Sequence, residues 1–433
     1  MTHRLAVIDT VAVTPQLLPL LPSLHSLPAR PLLPVFPAVT CPVQASMLTG
    51  VGPERHGVVG NGWLDPELRE VRFWKQSAGQ IRSPRVWDTL KRTRPAFKVA
   101  NLFWWFNMAT TCDVTVTPRP QYLADGRKVP DIATVPGGLR DQLQERLGRF
   151  PLFRFWGPGA GIASSRWIAE ATHRVGVTHA PDLLLSYLPH LDYDLQRFGP
   201  DPAHPRVRRA CAELDTVLST LFDRLNLLGY KVWVVNEYAI ERTRGVVPIN
   251  RLLREAGLLR VRAERGGEHL DPDNSLAFAV ADHQAAHVYH PRLDRLPLIP
   301  RTRQVELTHP RAGETVLTAD RGHWFTYDWW LEDRCAPDYA RTVDIHRKPG
   351  YDPRELFSRV GRLGVGRRLL ARKLGSRRTL DVVPLDPHRV GGTHGRPPDP
   401  DRDALPLWLG GEAGDTPLPC TALHDRILRF FGG

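Results

Sequence analysis

Thr40 lies in the run Phe36-Pro37-Ala38-Val39-Thr40-Cys41-Pro42, and an apolar-rich stretch after it stops at Gly50. That spacing predicts a helix with Thr40 at its N-cap, Pro42 in its first turn and Gly50 as its terminator. A hydroxyl there faces unpaired backbone N–H groups and the positive end of the helix dipole, which favour its alkoxide and also bind phosphate. Taken alone, the segment equally describes a threonine that only caps its helix. Asp9 ends the apolar run Leu5-Ala6-Val7-Ile8, and Asn236 and Glu237 follow a second run, Tyr230 to Val235. Carboxylates at the carboxyl ends of buried strands face the crevice where α/β proteins bind ligands.

The elements that must position these residues can be read around them. The chain has 433 residues, 42% apolar and 24% charged, which suits a large buried core and argues against intrinsic disorder. Its length predicts one large core with a substantial insertion. Leu5–Ile8, Phe97–Phe103, Leu183–Leu188 and Tyr230–Val235 read as strands. Arg85–Lys91, opened by Ser83-Pro84, reads as a helix. So does Arg206–Leu228, with Ala210, Leu214, Val217, Leu218, Leu221 and Leu225 on one face and Gly229 as its stop. This alternation predicts an α/β sheet. Beyond about residue 245 come short alternating runs, such as Phe278 to Tyr289, many turn residues and no long helix, which predicts a smaller α+β cap. The expected core is 1–245 and 375–433, with Leu380–Val383 and Leu405–Leu409 as returning strands, and the expected cap is 246–374.

The nucleophile segment continues Val51-Gly52-Pro53-Glu54-Arg55-His56-Gly57-Val58-Val59-Gly60-Asn61. From Phe36 to Asn61 it resembles the signature of the alkaline phosphatase superfamily, in its nucleotide pyrophosphatase/phosphodiesterase branch. That signature has a threonine in an F-P-x-x-T-x-P context, then T-G-x-x-P-x-x-H-G, then an asparagine. The resemblance returns at Asp192, at Glu237 and at Gly392-Thr393-His394-Gly395, in the family's chain order. It implies an alkaline-phosphatase-like core, a central mostly parallel sheet flanked by helices. It also implies metal-dependent hydrolysis of a phosphate ester, a phosphodiester or pyrophosphate rather than a monoester, through a phospho-threonine intermediate. Thr40 matches the nucleophile and Asn61 the residue that holds a non-bridging phosphate oxygen. Asp9, Thr40 and Glu237 match the ligands of one divalent ion, and Asp192 and His394 those of a second. Zinc is the metal the resemblance implies. His56 reads as a loop-packing residue.

Two departures from the family pattern bear on the metals. Asp-x-x-x-His becomes Asp192-Tyr193-Asp194-Leu195-Gln196, and Asp-His becomes Glu237-Tyr238. An amide and a phenol replace two imidazoles, and a Gln196 carbonyl oxygen would shift the ligand set toward oxygen and admit Mn²⁺, Mg²⁺ or Ca²⁺. An imidazole from the cap could restore nitrogen: Asp282-His283 and His287 share one strand-like run, and Asp344-Ile345-His346 sets two polar residues on one strand face. The same substitutions motivate an alternative, a catalytically degraded relative that binds a phosphorylated ligand or partner. A sulfatase is excluded because Cys41 is followed by Pro42 with no arginine where that family requires one. A mutase lacks its serine nucleophile.

The net charge of +12 suits an anionic substrate, a nucleic acid or an anionic membrane surface, and the resemblance implies a small phosphorylated, nucleotide-like substrate, with peripheral anionic membrane contact as a further option. Residues 359 to 378 concentrate that charge in seven arginines and a lysine without an acid. No nucleic-acid-binding module is recognisable. Aromatic residues gather at Phe103–Phe106, Phe153–Trp156 and Trp324–Trp330, as core or as a stacking slot for a planar leaving group. Five scattered cysteines, no secretory signal and no long apolar run predict a cytoplasmic chain without a disulfide framework.

Overall fold

The computed structural model describes residues 3–124, 127–361, 364, 366 and 380–432. Its centre is a nine-stranded sheet. In chain order the strands are β1 (Arg4–Asp9), β2 (Ala29–Leu33), β3 (Val99–Leu102), β4 (Val114–Pro118), β5 (Ile132–Val135), β6 (Leu183–Tyr187) and β7 (Tyr230–Val235). Two late strands complete it, here β12 (Leu407–Leu409) and β13 (Leu418–Pro419). The spatial order is β13-β2-β12-β7-β1-β6-β3-β4-β5. The run β7-β1-β6-β3-β4 is parallel throughout, while β5 and β12 pair antiparallel at its two sides. β1 sits in the middle and is buried from Leu5 to Asp9, as an uninterrupted apolar run requires when helices cover both faces of a sheet.

Helices α1 (Thr40–Thr49), α2 (Val86–Thr93), α3 (Ile162–His179), α4 (His190–Phe198) and α5 (Pro205–Leu227) flank this sheet. On α5 the buried face comprises Val207, Ala210, Cys211, Leu214, Val217, Leu218, Leu221 and Leu225, and each large apolar side chain there contributes roughly 1.5–3 kcal/mol by leaving water. Pro205 opens α5, and Gly229 follows its end with φ +81°. The expected opening of α2 is corrected. Its N-cap is Arg85, and the Asp88 carboxylate accepts from the Arg85 backbone N–H. The box formed by Asp88 therefore sets the boundary two residues after Ser83.

A second apolar cluster surrounds an antiparallel sheet of order β8-β9-β11-β10. Its strands are β8 (Phe278–Asp282), β9 (Ala285–Tyr289), β10 (Thr302–Gln304) and β11 (Thr315–Ala319). The run from Phe278 to Tyr289 is thus a hairpin turning at His283-Gln284, with both strands wholly buried rather than alternating. Leu64 and Phe73, close after the nucleophile segment, pack into this cluster and tie it to the core. Residues 380–383 form no strand; the Val382 and Val383 N–H groups both donate to the Arg341 carbonyl. Asp344-Ile345-His346 lies in a turn, not a strand. The basic stretch 359–378 falls mostly outside the described residues. No described helix is long and apolar enough to cross a membrane.

Residues 348–355 carry a buried ionic network. Arg354 donates to both oxygens of Asp328, at 2.7 and 2.6 Å, and to Asp352 at 2.7 Å. Lys348 lies 2.8 Å from Asp352 and 2.7 Å from Glu355. Removing one partner leaves the others charged and unpaired in a dry interior, so Arg354→Met is expected to lower the unfolding free energy by about 3–5 kcal/mol. Denaturant unfolding measures this, and an unchanged midpoint would contradict it. Burial pushes the Asp352 carboxyl up, but the Arg354 and Lys348 charges outweigh burial and hold it below its ordinary value. A depressed carboxylate stabilises the fold above its unfolded value, ~3.9, and that contribution is lost as pH falls through the lower folded value. Thermal melts should accordingly show a shallower acid loss in Asp352→Asn than in wild type.

Candidate active site

Thr40 is the first residue of α1, not its cap. The N-cap is Val39, and the Thr40 side chain makes no capping bond. Its Oγ1 lies 3.4 Å from the Tyr238 hydroxyl, and Tyr238 donates to Asp192 Oδ1 at 3.2 Å. Tyr238 gives its one proton to Asp192, so Thr40 is the donor wherever these two hydroxyls bond, and the Glu237 carboxyl is the other acceptor within reach of the Thr40 proton. The simple capping reading fails. Gly50 closes α1 in the left-handed conformation, φ +71°, where a side chain would be strained.

The carboxyl ends of β1 and β7 bring Asp9 and Glu237 beside this hydroxyl, both fully buried, and Glu237 contacts both Asp9 and Thr40. Gln44, one helical turn beyond Thr40 on the same face, reaches both carboxylates: its Nε2 donates to Asp9 Oδ2 at 3.0 Å and to Glu237 Oε1 at 2.6 Å. The amide cannot be reversed without loss, because its Oε1 accepts the Trp105 backbone N–H at 2.8 Å. Asp9 Oδ1 and Glu237 Oε2 receive no hydrogen bond. Burial raises the Asp9 carboxyl to about 7 and pushes Glu237 well above its ordinary value. Two buried carboxyls in contact, each with one bare oxygen, lack positive charge.

Asp192 and Gln196 stand one turn apart on α4, which follows β6. Gln196 Nε2 donates to Asp192 Oδ2 at 2.7 Å, and Gln196 Oε1 accepts the Tyr351 hydroxyl at 3.1 Å. The expectation that Gln196 offers its carbonyl oxygen to a metal is therefore corrected: that oxygen is taken, and the amide nitrogen faces the carboxylate. His394 Nδ1 donates to the Ala38 carbonyl at 2.8 Å, which leaves the lone pair on a buried Nε2 with no partner. Burial holds this imidazole neutral, down to about 3. Gly395 follows at φ +120°, where a Cβ would come within 3.0 Å of the Gln284 backbone nitrogen.

Four rings stack through the site. Tyr238 lies on His394 at 3.5 Å and 5°, His394 on His283 at 3.7 Å, and His283 on Tyr351 at 3.8 Å. His283 thus reaches the site as a stacking ring at a left-handed turn position, φ 56°. His287 bonds the Val59 carbonyl, and His346 bonds the Phe73 carbonyl and faces Tyr122. These two histidines bind the chain that follows the nucleophile segment and do not join the four rings. His56 packs its loop, with Nε2 2.9 Å from Ser46 Oγ.

Asn61 is held from three directions. Its Oδ1 accepts the Cys41 N–H at the start of α1, its Nδ2 donates to Asp282 Oδ1, and its own N–H donates to Asp282 Oδ2. Asp282, from the cap hairpin, therefore orients a core residue. Gln44 and Tyr351 went unrecognised in the sequence, although the i,i+4 spacing from Thr40 placed Gln44 on the nucleophile's face. Most aromatic residues are core, including Trp104, Trp324, Trp329 and Trp330. Trp105 and Trp74 are half-buried, 4.7 Å apart, and Trp74 borders Tyr351. A cleft of about 940 Å³ opens elsewhere, at the amino ends of β1 and β7, between Arg4, Lys231, Trp233 and Arg426. It lies at the opposite end of β1 from Asp9.

Among the described residues, no three His, Cys, Asp or Glu side chains converge as a metal cluster. On the nucleophile side, the bare oxygens of Asp9 and Glu237 beside Thr40 fit a hard divalent cation. On the Asp192 side the fit fails for want of ligands: Gln196 turns its N–H to the carboxylate and gives its carbonyl oxygen to Tyr351, the Tyr238 phenol donates to the other Asp192 oxygen, and only Asp192 and His394 Nε2 remain.

A mostly parallel sheet with a helix-borne hydroxyl and buried carboxylates at its strand carboxyl ends defines a hydrolase core of the alkaline phosphatase superfamily. Within it, the chain belongs to the Type I phosphodiesterase / nucleotide pyrophosphatase family, whose profile matches residues 5–352. No curated relative matches by sequence. Among solved structures, phosphonoacetate hydrolase from Sinorhizobium meliloti 1021 in complex with phosphonoacetate is similar at a TM-score of 0.62 and 15% identity, covering 100% of this chain and 96% of that one. An inactive threonine-to-alanine variant of murine ectonucleotide pyrophosphatase/phosphodiesterase 5, in complex with AMP, is similar at 0.57 and 12% identity, covering 99% and 95%.

Proposed function

We propose that the chain hydrolyses a phosphate ester, a phosphodiester or pyrophosphate in preference to a monoester, with Thr40 as nucleophile. The observation that carries this reading is the Thr40 hydroxyl itself. It heads a buried helix, caps nothing, and has Tyr238 and the Glu237 carboxyl as acceptors within reach of its proton. Family membership supports the reaction class. In the first step Thr40 Oγ1 bonds to phosphorus, its proton passes toward Tyr238 and Asp192, and the bond to the leaving oxygen breaks. Water then attacks the phospho-threonine and releases it.

Asn61 is fixed against the start of α1, with one Nδ2 hydrogen on Asp282 and the other available to a phosphoryl oxygen. The Cys41 N–H that Asn61 occupies is thereby closed to the ligand. A divalent cation held by Asp9, Glu237 and Thr40 would favour the alkoxide and neutralise phosphoryl charge when bound. Trp74 and Trp105 would stack a planar leaving group, consistent with the AMP seen in the murine neighbour. A cytoplasmic location belongs to this reading as a proposal only.

The second reading is a degraded relative that binds a phosphorylated ligand without turnover; the want of ligands around Asp192 favours it. Assays on bis-p-nitrophenyl phosphate, p-nitrophenyl phosphate, a nucleotide panel and phosphonoacetate, each with Mg²⁺, Mn²⁺, Ca²⁺ and Zn²⁺, separate the two. Diester or pyrophosphate turnover is expected. AMP binding by calorimetry with no turnover on any substrate would favour the second reading.

A further inference from the structure

We infer that this site is built for one divalent cation, held by Asp9, Glu237 and Thr40, and that Tyr238 and Gln196 occupy the place of a second. The inference rests on the hydrolase reading for its purpose and on the hydrogen-bond accounting for its geometry.

Each buried polar atom of the site has a partner or lacks one, and the pattern is asymmetric. On the nucleophile side Gln44 satisfies one oxygen of each carboxylate. The remaining pair, Asp9 Oδ1 and Glu237 Oε2, belongs to side chains 0% exposed and receives nothing. A bare carboxylate oxygen is disfavoured in a dry interior and two carboxylates in contact repel, so a cation complements the pair. The donors are all oxygen, and the fixed Gln44 amide turns N–H rather than carbonyl toward the carboxylates. That set selects a hard ion such as Mg²⁺ or Mn²⁺ over zinc.

On the other side both Asp192 oxygens accept hydrogen bonds from side chains that stand where further ligands would. Gln196 Nε2 fills Oδ2 and the Tyr238 hydroxyl fills Oδ1. Both side chains are pinned in turn, Gln196 by Tyr351 and Tyr238 by its stack on His394. The unprotonated His394 Nε2 is the lone pair left without a partner there. One carboxylate and one imidazole do not make a site, since zinc is held by three or four protein ligands. The phenol therefore does part of an ion's work: it fixes the Thr40 oxygen and links it to Asp192.

The test is metal content with Mn²⁺ as the probe. Stripped wild-type protein reloaded with Mn²⁺ and freed of excess by gel filtration should carry one ion per chain. Its EPR spectrum should be that of an isolated Mn²⁺ rather than an exchange-coupled pair. Asp9→Asn should lose the ion and the isosteric Asp192→Asn should keep it. Tyr238→His with Gln196→His should raise the content to two. Two ions or none in wild type overturns the inference, as does an ion lost in Asp192→Asn but kept in Asp9→Asn. A double histidine variant that still binds one ion overturns the role given to Tyr238 and Gln196. These readouts do not depend on turnover, so protein that binds one ion yet hydrolyses nothing refutes the hydrolase reading and leaves this one standing.

Discussion

Thr40→Ala should lower phosphodiester turnover by about 10³-fold or more, because it removes the attacking oxygen and with it the covalent step. The loss should fall on kcat, with substrate binding little changed, since Asn61 and the cation site remain. Stability should change little: Thr40 supplies no capping bond, and its side chain meets only the Tyr238 hydroxyl, at a long 3.4 Å, and the Glu237 carboxyl. Thr40→Ser keeps the hydroxyl and should retain part of the rate. Circular dichroism and a thermal melt confirm folding of each variant beside steady-state kinetics. A folded Thr40→Ala protein with undiminished turnover would eliminate threonine as the nucleophile.

Asp9→Asn is the second large effect. The carboxylate lies at the carboxyl end of the central strand, contacts Glu237 and accepts from Gln44. An amide there cannot complete the negative pair that attracts a cation. Charge stabilisation by such an ion is worth several kcal/mol, so turnover should fall by about 10³-fold. The fold should not suffer, because the metal-free site gains by losing a buried charge. Asp9→Asn is therefore expected to raise the melting temperature of metal-stripped protein while abolishing activity. Unchanged kinetics in the presence of Mn²⁺ would show that Asp9 takes no part in the chemistry.

Much of this site was legible because its determinants are local. A threonine, a nearby proline and a terminating glycine within eleven residues define α1, and an apolar run ending in an acid defines β1 and Asp9. The strand Tyr230–Val235 and helix α5 follow from uninterrupted burial and from helical spacing of their apolar residues. What failed depends on distant contacts. Gln196 was expected to turn its carbonyl toward a metal, but Tyr351, contributed by the far end of the cap, takes that oxygen. His346 was placed on a strand because Asp-Ile-His alternates; the chain instead turns there, and the Asp344 N–H donates to the buried Glu355 carboxylate. His283 does arrive at the site, but a left-handed turn presents its ring face to His394. Periodicity carries no information about any of these partners.

The proposed reaction is a double displacement at phosphorus through Thr40, and the stereochemical course of hydrolysis distinguishes it from direct attack by water. A chiral phosphorothioate diester hydrolysed in isotopically labelled water would reveal the configuration of the product. Attack by Thr40 followed by attack of water inverts phosphorus twice, so the account predicts net retention. Net inversion would mean that water attacks the substrate in a single step, and it would contradict the account whatever metal the site holds.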